Sequence, residues 1–172
     1  YSGTMGMKHN PQVISKAAIH LQAHNDIIFV VMTEGEGANY LKNIKQEKNL
    51  SNLILLPFQK FEDLPMIFGS SDVFITILED DAGIFSVPSK LWSYFCAGKP
   101  NILSVPKDNL TALITKNNNA GLISEDKDIS KLILTLRNNS ELCSNLGNNA
   151  RAYAENNFYI DKIVDRFIQI LK

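Results

Sequence analysis

Short apolar stretches rich in β-branched residues alternate along the chain with segments whose apolar residues recur at helical spacing. The stretches are nearly continuous in apolar character, which is typical of strands buried on both faces of a parallel sheet. They predict five strands, at Ile27–Thr33, Leu53–Phe58, Val73–Leu78, Asn101–Val105 and, with the least marked pattern, Ala120–Ile123.

Helical patterns fill the segments between and after these strands. Pro11 suits the first turn of a helix, and the apolar residues that follow it repeat with a helical period: Val13, Ile14, Ala17, Ala18 and Leu21. Further helices are predicted at Tyr40–Glu47, Phe61–Ser70, Ser89–Ala97 (ended by Gly98) and Asn109–Thr115, then at Ile129–Arg137, Ser140–Asn156 and Ile160–Leu171. The alternation predicts an α/β, Rossmann-like three-layer domain with a mostly parallel sheet and a C-terminal helical tail.

The charge balance and the cysteine content limit the kinds of ligand and compartment that the sequence favours. The 172 residues fit one domain, and 17 Lys and Arg against 18 Asp and Glu leave a formal net charge of -1. This balance gives no bulk electrostatic argument for nucleic acid or a membrane surface, so an anion site has to be local. Cys96 and Cys143 are far apart and form no metal or disulfide motif, which fits a reducing cytoplasm.

Open parallel sheets bind ligands at the carboxyl ends of their strands, and this rule selects four loops. The first is Gly3–His9, where glycines let the backbone approach a ligand and Lys8 can contact a phosphate. We expect a strand to lead into this turn. An ordinary strand-to-helix turn with a solvated lysine explains the same pattern equally well.

The second and third loops follow the next two strands. In Glu34–Gly37, glycines leave room for a sugar or a base, and the carboxylates can accept hydroxyl hydrogen bonds; a tight turn that opens a helix is the simpler alternative. Phe58 can stack near a base while its backbone amide and carbonyl contact the base edge. Aromatic residues at strand ends more often serve packing.

The fourth loop, Glu79–Leu91, is the most specific. An acidic, Gly-containing segment leads into a helix start at Pro88-Ser89-Lys90, where free amides and the helix dipole favour an anion. Capping alone explains Ser89. It does not explain Lys90, because the dipole disfavours a cation in the first turn. An anionic ligand resolves that mismatch.

Two other patterns are weaker. His20 and His24 lie four residues apart on the predicted first helix, but no carboxylate lies between them as in zinc-binding helices, and we expect them to face outward. One acidic turn, Asp80-Asp81, is a weak Mg²⁺ site. We therefore predict no metal.

With those loops placed, the chain resembles the C-terminal domain of family four glycosyltransferases, which have the GT-B fold. The resemblance runs along almost the whole chain, through Tyr1–Gly6, Asn52–Pro57, Glu62–Pro65, Ser71–Phe74, Pro88–Leu91 and Ala97–Pro100. Pro88-Ser-Lys-Leu91 followed by Ala97-Gly-Lys-Pro100 is the strongest match. The chain looks like the subgroup that builds capsule, O-antigen and other surface polysaccharides, often on aminosugars.

The resemblance implies that this chain is the donor-binding half of a retaining enzyme, with the acceptor domain outside it, and that the chain alone transfers nothing. The implied donor is a UDP-sugar, with an N-acetylated aminosugar as one candidate, and no metal or other cofactor is required. The acceptor would be a sugar or lipid-linked sugar, which would place the enzyme in the cytoplasm or at the inner face of the membrane.

Each loop then has an implied role. The diphosphate would lie against Gly3, Thr4, Lys8, Ser89, Lys90 and Leu91, and both lysines would neutralise the leaving group. The residues around the uridine would be Glu34, Gly35, Gly37 and Phe58. Those that face the donor sugar would be Asp81, Gly83 and Ser86.

The sequence departs from the family pattern in two places. Thr4 stands near the usual arginine of the first loop, and both glutamates of the Glu-x7-Glu motif are missing, since Phe85 and Ser93 occupy their places. The second glutamate normally binds ribose hydroxyls, and Ser93 could do so more weakly. A sugar-nucleotide epimerase of the same shape, a non-catalytic nucleotide-binding or scaffold subunit, and a response-regulator-like domain are the alternatives.

Overall fold

The computed structural model describes residues 1–6, 9–82 and 86–171 and contains two sets of parallel strands. The strands are β1 (Phe29–Met32), β2 (Leu53–Leu56), β3 (Phe74–Ile77), β4 (Asn101–Ser104) and β5 (Gly121–Ile123). β1 pairs with β2, and β4 lies between β3 and β5. All five predicted strands are confirmed, each with shorter bounds.

Eight helices surround the strands in the part of the chain that the structure describes. They are α1 (Gln12–His20), α2 (Glu36–Glu47), α3 (Leu64–Gly69), α4 (Lys90–Cys96), α5 (Leu110–Asn117), α6 (Ser130–Arg137), α7 (Ser140–Asn157) and α8 (Ile160–Ile170). The predicted helices and the helical tail are confirmed with revised bounds. The segment from Phe61 divides into a 3₁₀ turn (Phe61–Asp63) and α3. α2 begins at Glu36 because Gly35, at φ +86°, makes the turn into it.

The two strand sets are separated by a cleft of about 870 Å³ between β1 and β3. At one end of the cleft, residues 1–3 extend the β1 edge: the Met32 amide donates to the Tyr1 carbonyl, and the Gly3 amide donates to the Met32 carbonyl. Ser2 therefore pairs with Met32 in parallel. This pairing places the first loop at the carboxyl end of β1.

The core positions α4 against β3. Every residue of β3 and β4 is buried. The rings of Phe74 and Tyr94 stack at 4.0 Å between centroids, and Phe68 meets both edge-on. Aromatic contacts of this kind add specific geometry to the apolar burial and fix the α4 face that carries Tyr94.

A close backbone approach holds α7 against the end of α4. Gly98, at φ +66°, ends α4 as predicted. A Cβ on Gly147 would lie 2.5 Å from the Gly98 carbonyl oxygen. Only glycine therefore allows α7 to pack this closely, and the helical tail supports α4 from behind.

The histidine pair does not lie on one helix, so that prediction is wrong. α1 ends at His20, and His24 lies in the turn that follows. His20 is exposed as expected, with Nδ1 3.4 Å from the Ser130 hydroxyl, whereas His24 is half-buried. Within residues 1–6, 9–82 and 86–171, no group of three potential metal ligands occurs, and no helix is long and apolar enough to cross a membrane.

Candidate functional site

The predicted loops meet at the carboxyl edge of the strands. The first loop and the start of α2 are in direct contact, because a Cβ on Gly37 would overlap the Met5 carbonyl oxygen. Gly37 is therefore required for a close backbone approach, and its predicted place beside the uridine stays a prediction. The first loop thus lies between the start of α2 on one side and α4 on the other.

Lys90, the first residue of α4, extends its side chain over the first loop. Its Nζ lies 3.8 Å from the centroid of the Tyr1 ring and donates a hydrogen bond to the Tyr1 hydroxyl at 2.5 Å. The Tyr1 hydroxyl in turn donates to the Thr4 carbonyl at 2.7 Å. A Cβ on Gly3 would lie only 3.1 Å from Nζ, so Gly3 leaves the space that the ammonium occupies.

The Lys90 ammonium has no acidic partner in the described ranges. None of the ion pairs found there includes Lys90. Burial lowers the pKa of Lys90 to about 8. A desolvated ammonium that is held only by an aromatic ring and a hydroxyl is electrostatically incomplete, and an anion at this position would complete it.

Tyr94 ties the same helix to the same loop. Its hydroxyl accepts from the Ser2 amide at 2.8 Å and donates to the Ser2 carbonyl at 3.1 Å. Tyr94 is fully buried, and burial raises the pKa of its phenol. Because residues four apart share a helix face, Lys90 and Tyr94 contact the first loop side by side.

The predicted amide cradle at the start of α4 is smaller than expected. The Leu91 amide donates to the Pro88 carbonyl and the Trp92 amide to the Ser89 carbonyl, both at 3.1 Å. The Leu91 side chain is fully buried, so any contact of this residue with the diphosphate would be through its backbone amide, and the predicted contact stays a prediction. The Ser89 side chain is exposed and makes no capping hydrogen bond.

Glu34 and Phe58 come together at the ends of β1 and β2. The Glu34 carboxylate accepts a hydrogen bond from the Phe58 amide at 3.2 Å. That amide is therefore engaged by Glu34 in this structure, and its predicted contact with a base edge stays a prediction. The Phe58 ring is 46% exposed and leaves an aromatic surface beside the carboxylate.

The loop between β3 and α4 is held at both ends. Lys127, in the loop after β5, forms ion pairs with Glu79 at 3.1 Å and Asp80 at 3.0 Å. Desolvation works to lower the pKa of Lys127, but the hydrogen bonds that its ammonium donates to Asp80 and Glu79 outweigh it and raise that pKa. At the other end, the Asn109 side chain donates to the Ser86 carbonyl at 2.9 Å.

The remaining predicted site residues are more dispersed. Asp81 is exposed in the β3–α4 loop, Ser86 is half-buried, and Ser93 is exposed on α4. Lys8 and Gly83 lie outside the described residues. Asp80 is ion-paired with Lys127, which argues against its use as a Mg²⁺ ligand.

Comparison with known proteins decides the family. The model of the family described as glycosyl transferases group 1 matches residues 1–153. The chain belongs to the group 1 glycosyltransferases. This group 1 chain is 23% identical over 173 residues to the putative colanic acid biosynthesis glycosyl transferase WcaI of Escherichia coli K12, covering all of this chain and 42% of the relative.

Solved structures show that this glycosyltransferase chain has the C-terminal half of the GT-B fold. HepE from Anabaena, in complex with UDP, superposes with a TM-score of 0.81 at 14% identity over 99% of this chain and 47% of HepE. A glycosyltransferase from Rickettsia africae gives 0.78 at 18% identity over 98% and 45%. The catalytic domain of cholesterol-α-glucosyltransferase from Helicobacter pylori gives 0.73 at 15% over 91% and 95%.

Sequence reasoning missed three residues that organise the candidate site. Tyr94 follows Lys90 by four residues on a helix, and that spacing could have revealed it. Lys127 lies in an irregular loop 47 or 48 positions from its acidic partners, and no local pattern connects them. Tyr1 contacts Lys90 across 89 positions of the sequence. Only the tertiary fold brings that pair together.

Proposed function

We propose that this chain is the nucleotide-sugar-binding domain of a glycosyltransferase and that the diphosphate of the nucleotide-sugar binds between the first loop and α4. The Lys90 ammonium carries this proposal. It is desolvated, has no carboxylate partner in the described part of the chain, and lies over Gly3 at the carboxyl edge of the strands. A diphosphate supplies the negative charge that this environment lacks.

UDP is the proposed nucleotide. HepE, a structural relative, holds UDP and UDP-glucose in its crystal structures. In this chain the uridine would lie between the first loop and the Glu34–Phe58 pair, with the exposed Phe58 ring as a stacking surface. The Glu34 carboxylate retains acceptor capacity for a ribose hydroxyl after it binds the Phe58 amide.

The donor sugar would face the β3–α4 loop, which includes Asp81 and Ser86. Lys127 and Asn109 fix the two ends of that loop. Gly83 would also contribute there, and Lys8 would add a second cation near the diphosphate, as the sequence predicts. An N-acetylated aminosugar is the proposed donor sugar.

The proposed reaction breaks the bond between the anomeric carbon and the diphosphate oxygen and joins that carbon to an acceptor hydroxyl oxygen, with retention of configuration. The acceptor loses its hydroxyl proton, and UDP leaves with the bonding electron pair. This chain's contribution is to hold the donor and to stabilise the charge that develops on the leaving diphosphate, chiefly through Lys90. A protein cation can perform this role without a metal.

The chain spans 42% of the length of its curated relative and 47% of HepE. We propose that acceptor binding belongs to a part of the enzyme outside these 172 residues, and that the isolated chain transfers no sugar. The acceptor would be a growing or lipid-linked surface polysaccharide, in keeping with the colanic acid role in the name of the WcaI relative. The enzyme would then act in the cytoplasm at the inner face of the membrane.

Calorimetric titration of the protein with UDP, GDP and ADP tests this function. We expect saturable binding with UDP preferred, and a marked loss of UDP affinity in Lys90→Met. Lys16→Met is the matched control, because Lys16 is exposed on α1. Absence of UDP binding, or equal affinity in the two lysine variants, would contradict the proposal.

A further inference from the structure

Lys90 and Tyr94 form a closed circuit of contacts with the first loop. From α4, the Tyr94 hydroxyl binds both the amide and the carbonyl of Ser2. The next residue back along the chain, Tyr1, binds the Lys90 ammonium through its ring and its hydroxyl. The two contacts on α4, made by Lys90 and Tyr94, are therefore one helical turn apart.

The contacts with Tyr1 restrict the Lys90 side chain more than its position on α4 alone would. A lysine side chain has four rotatable bonds. An unrestrained lysine side chain therefore loses much conformational entropy when it becomes ordered against a ligand. Here the ring limits the ammonium on one side and the hydroxyl takes one of its three N–H donors. The remaining donors are left for a ligand, and the order is already present before it binds.

The tyrosine hydroxyl suits this task because it is neutral. A carboxylate in its place would neutralise Lys90 and compete with an anionic ligand. The Tyr1 hydroxyl donates its hydrogen bond to the Thr4 carbonyl, so its oxygen lone pairs are left to accept from Nζ. Burial, with a smaller contribution from Tyr94, raises the pKa of the Tyr1 phenol and keeps it protonated.

We propose that Tyr1 and Tyr94 are positioning residues that hold the Lys90 ammonium at the diphosphate subsite. Tyr1 acts on the ammonium directly, and Tyr94 acts by holding the backbone that carries Tyr1. This inference rests on the proposed nucleotide-binding function. It predicts that both hydroxyls contribute to the binding of the diphosphate and contribute little to the binding of the nucleoside.

The test compares UDP with uridine in Tyr1→Phe and Tyr94→Phe, which keep the rings and remove only the hydroxyls. For Tyr1→Phe we expect UDP affinity to fall about tenfold, the order of the entropy cost of fixing a lysine side chain against a ligand, while uridine affinity stays within about twofold. Tyr94→Phe is expected to act in the same direction. Tyr40→Phe is the control, since its hydroxyl lies 3.4 Å from Ser15 on another helix pair.

A double-mutant cycle shows whether Tyr1 acts through Lys90. On a Lys90→Met background, Tyr1→Phe should cost no more than about a further twofold in UDP affinity, because the group that it positions is gone. Parallel losses of UDP and uridine, or additive losses in the cycle, would overturn the positioning role alone. A wild-type protein that binds no nucleoside diphosphate would overturn the proposed function and this inference with it.

Discussion

The Lys90 ammonium lies over the ring of Tyr1, with Nζ 3.8 Å from the ring centroid, and donates to the Tyr1 hydroxyl. This contact joins the start of α4 to the first loop across 89 positions of the sequence. It also explains a cation at a helix start, where the dipole disfavours it. The side chain turns away to the ring and hydroxyl of Tyr1, where we propose that it meets the diphosphate.

The affinity for a UDP-sugar should fall as the pH rises above about 8. Burial lowers the pKa of Lys90 to about 8 in the free protein, and a bound diphosphate would raise it again. Below pH 8 the lysine is already charged, so binding takes up no proton. Above pH 8 binding must protonate it, and affinity should fall about tenfold per pH unit until the pKa of the bound state is reached.

Lys90→Arg is the control for this pH profile, because arginine stays charged throughout the range. Titration calorimetry with UDP-glucose between pH 6 and pH 10 would measure both proteins, and ionisation of the uracil affects both alike. We expect the ratio of the two affinities to be constant below pH 8 and to change above it. A constant ratio across the whole range would show that Lys90 does not titrate at the ligand.

Loss of the Lys127 charge should weaken the binding of the donor sugar more than that of UDP. Lys127→Met removes the ion pairs to Glu79 and Asp80. The backbone at this position is left-handed, at φ +61°, and methionine adopts that conformation at about the same cost as lysine. Partly exposed ion pairs of this kind contribute about 1 kcal/mol or less to stability, so the fold should persist. The measurement is the affinity for UDP-glucose relative to that for UDP.

Lys131→Met is the matched variant for Lys127→Met, since Lys131 is exposed on α6. It should leave both affinities as they are. If Lys127→Met lowers the two affinities equally, the β3–α4 loop contacts the nucleotide rather than the sugar.

The strands and helices could be predicted from the sequence because their apolar periodicity is local. β3 and β4 are short runs of buried residues, and α1 repeats its apolar residues at helical spacing. The cleft between β1 and β3 could not be predicted, since strand order depends on contacts distant in sequence.

The positions of the loops in the candidate site could be predicted from the sequence, but the contacts between their side chains could not. Loop positions follow from strand ends, which is why Gly3 and Lys90 were found together. The use of individual hydrogen-bonding groups follows from three-dimensional contacts. Glu34 thus engages the amide of Phe58, 24 positions away, which no sequence pattern indicates.

Ser93→Glu should tighten the binding of both UDP and uridine. Ser93 is exposed on α4, at the position where the family pattern has a glutamate that binds ribose. A charge-assisted hydrogen bond to a ribose hydroxyl supports a gain of about tenfold. The gain should disappear with 2′,3′-dideoxy-UDP, and Ser144→Glu on α7 should produce none. An unchanged affinity for UDP would show that Ser93 does not face the ribose.

Gly37→Ala should destabilise the fold and displace the first loop. A Cβ there would overlap the Met5 carbonyl, and overpacking of this kind costs about 1–3 kcal/mol. Gly69→Ala is the control, because a Cβ at Gly69 meets nothing within 4 Å. Denaturant unfolding measures both free energies, and we expect only Gly37→Ala to lower the free energy of unfolding. Equal stability of the two variants would mean that the first loop yields without cost.

The most direct test of the nucleotide site is to map amide chemical-shift changes by NMR as UDP is added. We predict that the amides of Gly3, Gly35, Ser89 and Lys90 shift and saturate together, while those of Asp26 and Arg137, which line the cleft between β1 and β3, stay in place. Shifts confined to the cleft between β1 and β3, with Gly3 and Lys90 unaffected, would contradict the assignment of the diphosphate to the first loop and α4.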